Sequence, residues 1–251
     1  MEQGIGILAQ KKPVKKNPQG SMQNMNTGVK TACLLASVFL GASTYADIIY
    51  DNSQNYLGFV TKEQNTEIGD YVNFAGTART LTDWQFEYFV TPGANVSFQA
   101  SIYANDGAKG MPGTLLYTSG GTAIPLSTGF NHVDISGLSL TVPDSVSWTV
   151  KFSGATAGQE AGLLFYNPPS TGTSPTFNPT TQTIDSGAVA GHQDFTVYNP
   201  GTGFELVNHN STLGNNVSDN LAVRFTAVPE PSTWALFASG LALIAFRRRK
   251  Q

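Results

Sequence analysis

The sequence predicts an all-β fold, an antiparallel β-sandwich of jelly-roll-like form, and two observations carry this prediction. Apolar and polar residues alternate with a period of two in most segments between residues 47 and 226, which is typical of strands with one buried face. Stretches rich in glycine and proline separate these segments, and none of them keeps a helical period for three turns. Many short strands at this spacing favour two packed sheets, each with one hydrophobic and one polar face.

Four segments show the alternation most clearly, and the shorter candidate strands fall between them. The short candidates are residues 48–50, 57–61, 71–74, 115–118, 133–135, 138–142, 163–166, 195–198 and 204–207. The four long segments are residues 81–90, 95–104, 145–152 and 221–227, in which every second residue is apolar. The predicted core-facing residues are Trp84, Phe86, Tyr88, Val90, Val96, Phe98, Ala100, Ile102, Ala104, Val146, Trp148, Val150, Phe152, Leu221, Val223, Phe225 and Ala227.

Residues 25–46 have the layout of a secretory signal peptide. Lys30 supplies the positive start, an apolar stretch follows, and small residues precede a predicted cleavage between Ala46 and Asp47. Residues 1–24 form a basic extension with two interpretations, a long leader region or a start codon placed too early, with Met22 or Met25 as the true initiator. The predicted ectodomain then comprises residues 47–226.

The C-terminal segment, residues 227–251, combines three features in a fixed order. Pro229, Glu230 and Pro231 come first, an uncharged apolar run at 234–246 follows, and the basic residues Arg247, Arg248, Arg249 and Lys250 end it. The apolar run would be about 20 Å long as a helix, whereas spanning hydrocarbon takes about 20 residues. The run therefore predicts a short transmembrane helix that anchors poorly, with its basic end in the cytoplasm.

This order of motif, short helix and Arg-rich tail resembles the PEP-CTERM sorting signal of Gram-negative bacteria. The resemblance implies secretion, transient attachment to the inner membrane, processing by an exosortase near Pro229–Pro231, and delivery to the cell surface or extracellular matrix. An ordinary C-terminal membrane tail is the alternative.

Composition excludes several functions for the ectodomain. Residues 47–231 hold five basic residues against sixteen acidic ones, a net charge of −11, so binding to nucleic-acid phosphates is not expected. Association with extracellular polysaccharide, bridged by cations where the polymer is acidic, stays open. Cys33 lies in the signal peptide, so the exported protein has no disulfide, thiolate metal site or cysteine nucleophile. The sequence indicates no cofactor.

The ectodomain has a second resemblance. The segments LTDWQFEYFV, ANVSFQASIYANDGAKGMPGTLLYTSG and VSWTVKFSG, within residues 57–154, look like the choice-of-anchor R type of bacterial surface domain. That resemblance implies a β-rich fold and a surface location, without a particular activity.

The loop of residues 105–113 has two interpretations, a hairpin turn or a calcium loop. Oxygen-rich turns suit calcium, but Asp106 is the only carboxylate of this loop, and an EF-hand loop needs several. Asp-Gly and Pro-Gly pairs are what a tight turn requires. The sequence therefore favours a structural turn, and we predict no metal site.

No catalytic arrangement stands out in the sequence. His132, His192 and His209 are scattered without metal-ligand spacing, and no G-x-S-x-G elbow is present. Asp83 and Glu87 share the polar side of one strand, where a solvated surface is the default. We therefore predict that the protein is not an enzyme.

The aromatic residues leave a binding function open. Trp84 and Trp148 share faces with other apolar residues, which favours core positions, whereas Tyr103, Tyr166 and Tyr198 are candidates for stacking on sugar rings. The sequence thus predicts an exported surface protein with a structural or adhesive role in exopolysaccharide or biofilm. A carbohydrate-binding module with an aromatic site is the alternative, and a secreted hydrolase is the third reading.

Overall fold

The computed structural model describes residues 45–230, except 63, 121, 124–128, 188, 191 and 209–218, together with residue 240. Thr44–Ser232 form one compact unit of the chain. All strands of the described residues belong to Thr44–Ser232. Four sets of predictions lie outside the described residues: the body of the signal peptide, His209, the membrane segment 234–246 apart from residue 240, and the sorting residues Pro231, Arg247, Arg248 and Arg249.

The fold is all-β, as the sequence predicts. The single helical element among the described residues of Thr44–Ser232 is a three-residue 3-10 turn, Ala108–Gly110. The strands are β1 (Asp47–Asp51), β2 (Tyr56–Val60), β3 (Glu67–Asn73), β4 (Thr80–Val90), β5 (Ser97–Ala104), β6 (Leu115–Thr118), β7 (Thr122–Ala123), β8 (Gly129–Thr141), β9 (Ser145–Ser153), β10 (Ala161–Tyr166), β11 (Phe177–Asn178), β12 (Thr183–Ile184), β13 (Thr196–Asn199), β14 (Glu205–Val207) and β15 (Val223–Val228).

The six-stranded sheet is arranged around β4. One edge of β4 pairs with β8 along its whole length. The other edge pairs first with β15 and then, from Tyr88 onward, with β10. β1 extends the sheet beyond β15, and β2 extends it beyond β10. All of these pairings are antiparallel.

The seven-stranded sheet has the order β14, β13, β3, β9, β5 and β6, with β7 also pairing with β5. β3 and β9 pair in register from Glu67 opposite Lys151 to Asn73 opposite Ser145. β11 and β12 form a separate two-stranded hairpin. Again, every pairing is antiparallel.

The two sheets pack their apolar faces together, as the alternation predicts. All predicted core-facing residues of the four long segments are buried except Ala104, which is half-buried. Trp84 of one sheet and Trp148 of the other are both 0 % exposed, and their ring centroids lie 6.1 Å apart. In β4 the register shifts between Leu81 and Asp83, which lets both Leu81 and Trp84 face the core despite their odd spacing.

The outer face of the seven-stranded sheet differs from the prediction of a solvated polar face. The described residues of 171–195, here called the cover segment, lie against this face, where Phe195 contacts Tyr71. Phe204, in the turn between β13 and β14, contacts Tyr103 on the same face. Small residues on the outer face are consequently buried, namely Gly69, Ser101, Ser147 and Thr149. Gly69 also meets the neighbouring strand closely, because a Cβ there would lie 1.7 Å from the carbonyl oxygen of Trp148 in β9, so this position requires glycine.

The ectodomain has its own hydrophobic core. Every residue of that core lies between Ile49 and Ala227, and a unit with its own core can fold by itself. The first and last strands are neighbours, with Asp47 opposite Ala227. Both predicted targeting segments therefore join the fold at the same end of the six-stranded sheet.

Candidate functional site

Four aromatic side chains gather on the outer face of the six-stranded sheet, which is open to solvent. They are Tyr56, Phe89, Phe130 and Tyr166, here called the aromatic cluster. Phe130 is 59 % exposed and Tyr56 is 41 % exposed. The ring centroid of Tyr56 lies 5.4 Å from that of Phe130 and 5.4 Å from that of Tyr166, and Phe89 lies 5.6 Å from Phe130.

Strand register brings these rings together. Phe89 and Phe130 are directly opposite on β4 and β8, and Tyr166 and Tyr56 are directly opposite on β10 and β2. Phe89 lies out of phase with the core-facing residues of β4, and Phe130 lies out of phase with Val133. Because alternate residues point to opposite faces of a sheet, these rings must lie on the side away from the core.

Polar side chains adjoin the aromatic cluster on the same face. The Tyr166 hydroxyl donates a hydrogen bond of 2.6 Å to Oε2 of Glu87. Two residues before Glu87 on β4, Gln85 donates to Asp134 at 2.7 Å and accepts from Arg224 at 2.6 Å. His132, opposite Glu87, has its Nε2 3.3 Å from Oδ2 of Asp134. The cluster is thus bordered by both hydrogen-bond donors and hydrogen-bond acceptors.

The surroundings of the two tyrosines keep their hydroxyls protonated. Partial burial raises the pKa of Tyr166 well above its usual range, and the hydrogen bond to Glu87 raises it further. Partial burial also raises the pKa of Tyr56. At neutral pH both hydroxyls are protonated, and that of Tyr166 donates to Glu87.

Chemically, this face is suited to binding a ligand that is apolar on one side and polar at its edge. Exposed rings pack against apolar surface, while the neighbouring amide and carboxylate groups fix orientation through hydrogen bonds. Sugar rings have this character, with C–H groups on their faces and hydroxyls around their rims. Among the described residues, no group of three or more His, Cys, Asp or Glu side chains is placed to hold a metal ion.

Asp106 and its loop form a closed hairpin turn. Both carboxylate oxygens accept hydrogen bonds from Thr114, one from the backbone N–H and one from the hydroxyl, each at 2.7 Å. These bonds lower the pKa of Asp106. A Cβ on Gly113 would lie 2.2 Å from Oδ1 of Asp106, so the turn requires glycine at that position.

Of the three tyrosines suggested as sugar-stacking candidates, Tyr166 alone belongs to the aromatic cluster. Tyr103 lies on the seven-stranded sheet, where its hydroxyl donates to Glu67 at 3.0 Å and its ring contacts Phe204. Burial and Glu67 raise the pKa of Tyr103 to about 12. Tyr198 is half-buried in β13 of the same sheet. Trp84 and Trp148 are core residues, as predicted.

The two histidines among the described residues, His132 and His192, lie apart. His132 is exposed on β8 of the six-stranded sheet. His192 lies in the cover segment, where its Nδ1 is 2.7 Å from Oδ2 of Asp185, and Thr176 donates to the same oxygen at 2.7 Å. These two bonds lower the pKa of Asp185, His192 contributing most. The hydroxyl binds the carboxylate rather than the imidazole, so the trio lacks the nucleophile-to-base contact of a catalytic triad.

A cavity lies between the 3-10 turn and the hairpin of β11 and β12. Its cavity volume is about 260 Å³, and Lys109 crosses beside it to Gln182 with a 2.8 Å hydrogen bond. The lining is mainly apolar and consists of Lys109, Met111, Phe177, Gln182, Ile184 and Leu206.

The predicted processing positions flank the fold directly. Tyr45 and Ala46 are exposed, and β1 begins at Asp47, immediately after the predicted cleavage bond. Strand β15 ends at Val228, two residues beyond the predicted end of the ectodomain, and Pro229 and Glu230 are exposed beyond it. No helix in the described part of the chain combines the length and the apolar character that a membrane crossing requires.

Comparison with known families identifies the tail. Residues 227–250 match the family of PEP-CTERM protein-sorting motifs. The chain thus carries an exosortase sorting signal, which implies export and transient attachment to the membrane. No curated protein and no solved structure matches the chain, and the resemblance of the ectodomain to choice-of-anchor R domains has no support from these comparisons.

Tyr56, Phe89 and Phe130 were not predicted as site residues. A signal for two of them was present, because Phe89 and Phe130 are aromatic residues in the polar phase of an alternating strand. Tyr56 gave no such signal, since its place beside Tyr166 depends on the pairing of β2 with β10.

Proposed function

We propose that this protein is an exported, non-catalytic surface or matrix protein that adheres to extracellular polysaccharide through the aromatic cluster. The observation that carries the proposal is the exposure of Phe130 and Tyr56 beside the hydrogen-bonding groups of Glu87 and Gln85. Large apolar side chains exposed in one patch, with polar groups around them, mark binding surfaces. Among the roles that the sequence suggests, an adhesive one in the exopolysaccharide or biofilm fits this patch best.

The proposed route to the matrix follows from the two ends of the ectodomain. The signal peptide directs secretion, the C-terminal segment holds the protein in the inner membrane of a Gram-negative cell, and exosortase processing near Pro229–Pro231 releases it. Pro229 and Glu230 are exposed directly after β15, which supports access by a processing enzyme.

The position of the aromatic cluster also supports a role in adhesion. Thr80, at the start of β4, lies opposite Val228, the last residue before the sorting motif. Phe89 is nine residues further along the same strand, a distance of about 30 Å at the rise of a β-strand. The cluster therefore lies at the far end of the sheet from Pro229, and tethering at the C-terminus would leave it accessible.

A catalytic role finds less support on this face. A glycosidase needs two carboxyl groups facing each other across a bound sugar. Here Glu87 is hydrogen-bonded to Tyr166 and Asp134 to Gln85, on an open sheet surface that does not enclose a substrate. We therefore propose binding without turnover.

Polysaccharide binding by the ectodomain, residues 47–230, tests the proposal. The ectodomain is mixed with a panel of insoluble polysaccharides, and the fraction retained is measured for the native protein, the double variant Tyr56→Ala/Phe130→Ala, and Leu115→Ala. Leu115 is a matched control, because it is also apolar and 50 % exposed but belongs to the other sheet. We expect the double variant to lose retention and the control to keep it. Equal retention of all three proteins would refute the aromatic cluster as the binding surface.

The sorting step has its own test, in the full chain expressed in a host with an exosortase. Replacing Pro229, Glu230 and Pro231 with alanine should leave the protein in the inner-membrane fraction. Unchanged release of this variant would mean that these residues are not what the processing enzyme reads.

A further inference from the structure

Glu87 places a carboxylate at the border of the aromatic cluster. It precedes Phe89 by two residues on the same face of β4, and its Oε2 accepts the hydrogen bond of Tyr166, a member of the cluster. Among the described residues, no donor contacts its second oxygen, Oε1. An anionic oxygen with free acceptor capacity thus lies beside exposed aromatic rings.

Two charged groups near Glu87, Arg224 and His132, have partners of their own. Arg224 donates to Gln85 in the next row of the sheet. His132 lies opposite Glu87, but its Nε2 is 3.3 Å from Oδ2 of Asp134. Glu87 consequently keeps its negative charge available to a ligand on the cluster.

We propose that the aromatic cluster and Glu87 together bind polysaccharide that carries free, protonated amino groups. This inference rests on the proposed function and names the class of sugar that the site selects. A cation over an aromatic face is attracted by the electron density of the ring. The same ammonium group donates a charge-assisted hydrogen bond to Glu87, while the sugar face packs on Phe130 and Tyr56.

The charge of the whole ectodomain acts in the same direction. With a net charge of −11 over residues 47–231, the protein attracts a polycation over a long range and repels a polymer of uronic acids. A neutral polymer gains the ring contacts but nothing from the charge of Glu87. The expected order of affinity is therefore amino polymer, then neutral polymer, then acidic polymer.

Binding to three polymers measures this order: a glucosamine polymer with free amino groups, the same backbone fully N-acetylated, and a uronic-acid polymer. The amino groups are kept protonated, and the apparent Kd is determined for the native ectodomain and for Glu87→Gln. Glutamine still accepts the Tyr166 hydrogen bond, so the substitution removes the charge alone. Glu67→Gln is the matched control, because Glu67 also accepts a tyrosine hydroxyl, that of Tyr103, on the other sheet.

We expect Glu87→Gln to weaken binding of the amino polymer by about fivefold, the upper range for a solvent-accessible ion pair, and to leave the acetylated polymer unaffected. Glu67→Gln has the same net charge as Glu87→Gln, but it should bind the amino polymer as tightly as the native protein does. An equal loss in both variants would show general charge attraction and overturn the role of Glu87.

Binding of the acetylated polymer alone, lost in Tyr56→Ala/Phe130→Ala, would keep the adhesive function and refute the preference for amino groups. Failure to bind any of the three would contradict both proposals.

Discussion

The outer faces of the two sheets begin from the same strand pattern and end in opposite states. On the seven-stranded sheet the outward positions hold small buried residues such as Ser101 and Thr149 beside the rings of Tyr71 and Tyr103, and these rings contact Phe195 and Phe204. On the six-stranded sheet the outward positions hold Phe130 and Tyr56, and these remain exposed. The outward rings of the seven-stranded sheet thus pack against the protein's own chain, whereas those of the six-stranded sheet are open to solvent.

This contrast distinguishes an outer face that contributes to folding from one that contributes to binding. A covered face contributes to folding, so its substitutions should change stability. An open face contributes to binding, so its substitutions should change affinity and leave stability nearly constant. The predictions below test this division, from the largest expected effect to the smallest.

Removing a core ring should have the largest effect on stability. Trp148→Ala deletes a fully buried indole that packs against Trp84 and Phe86, and we expect it to lower the free energy of unfolding by about 3–5 kcal/mol. Phe130→Ala removes an exposed ring and should cost less than about 1 kcal/mol. Denaturant titration measures both values. Equal shifts of the two midpoints would mean that Phe130 is structural and would weaken its assignment to a binding surface.

Asp70 should make the stability of the ectodomain depend on pH. Burial raises the pKa of Asp70 well above its usual range, although the backbone N–H groups of Leu221 and Tyr71 donate to it and oppose the shift. A raised folded-state pKa contributes stability that is complete below the unfolded value, about 4, and is lost as pH rises through the folded value.

The native ectodomain should therefore lose stability relative to Asp70→Asn as pH rises from about 4 to neutral. At acidic pH the variant should be less stable by about 1–3 kcal/mol, because its amide cannot accept both backbone hydrogen bonds. Melting temperatures of the two proteins across this range test the prediction. Parallel curves for Asp70→Asn and the native protein would contradict it.

Relieving a buried polar group should stabilise the covered face. The hydroxyl of Thr149 is buried without a hydrogen-bond partner among the described residues, and an unpaired buried hydroxyl costs about 1–3 kcal/mol. Thr149→Val keeps the shape, so we expect a gain of about 1 kcal/mol in the free energy of unfolding. Thr141→Val, at an exposed position of β8, should change it by less than about 0.5 kcal/mol. A loss of stability in Thr149→Val would show that the cover segment does satisfy this hydroxyl.

Calcium should have no effect on the melting temperature. Both oxygens of Asp106 are occupied by Thr114, which leaves little capacity for a cation. A ligand that binds the folded state raises stability with the logarithm of its concentration, so melting with EDTA and with millimolar calcium distinguishes the cases. A rise of several degrees that Asp106→Ala abolishes would revive a calcium-dependent adhesion.

Sequence alternation predicted the inner faces because burial of alternate residues is a local property of each strand. Trp84, Trp148 and Phe225 could be assigned to the core from their own segments. The cover segment could not be predicted, since it depends on contacts between residues far apart in the chain, such as Tyr71 with Phe195. Half of the aromatic cluster could have been predicted from the sequence, because Phe89 and Phe130 break the alternation locally. The pairing of Tyr56 with Tyr166 depends on the strand order, which the sequence pattern does not give.

Mapping of a bound sugar onto the two outer faces tests the central contrast most directly. Backbone amide chemical shifts of the ectodomain are followed by NMR while a short glucosamine oligomer is added. The account predicts changes around Tyr56, Phe130 and Tyr166, with the amides of Ser101 and Thr149 unmoved. Changes centred on the cavity beside Lys109, or spread evenly over both sheets, would contradict the assignment of the open face as the binding surface.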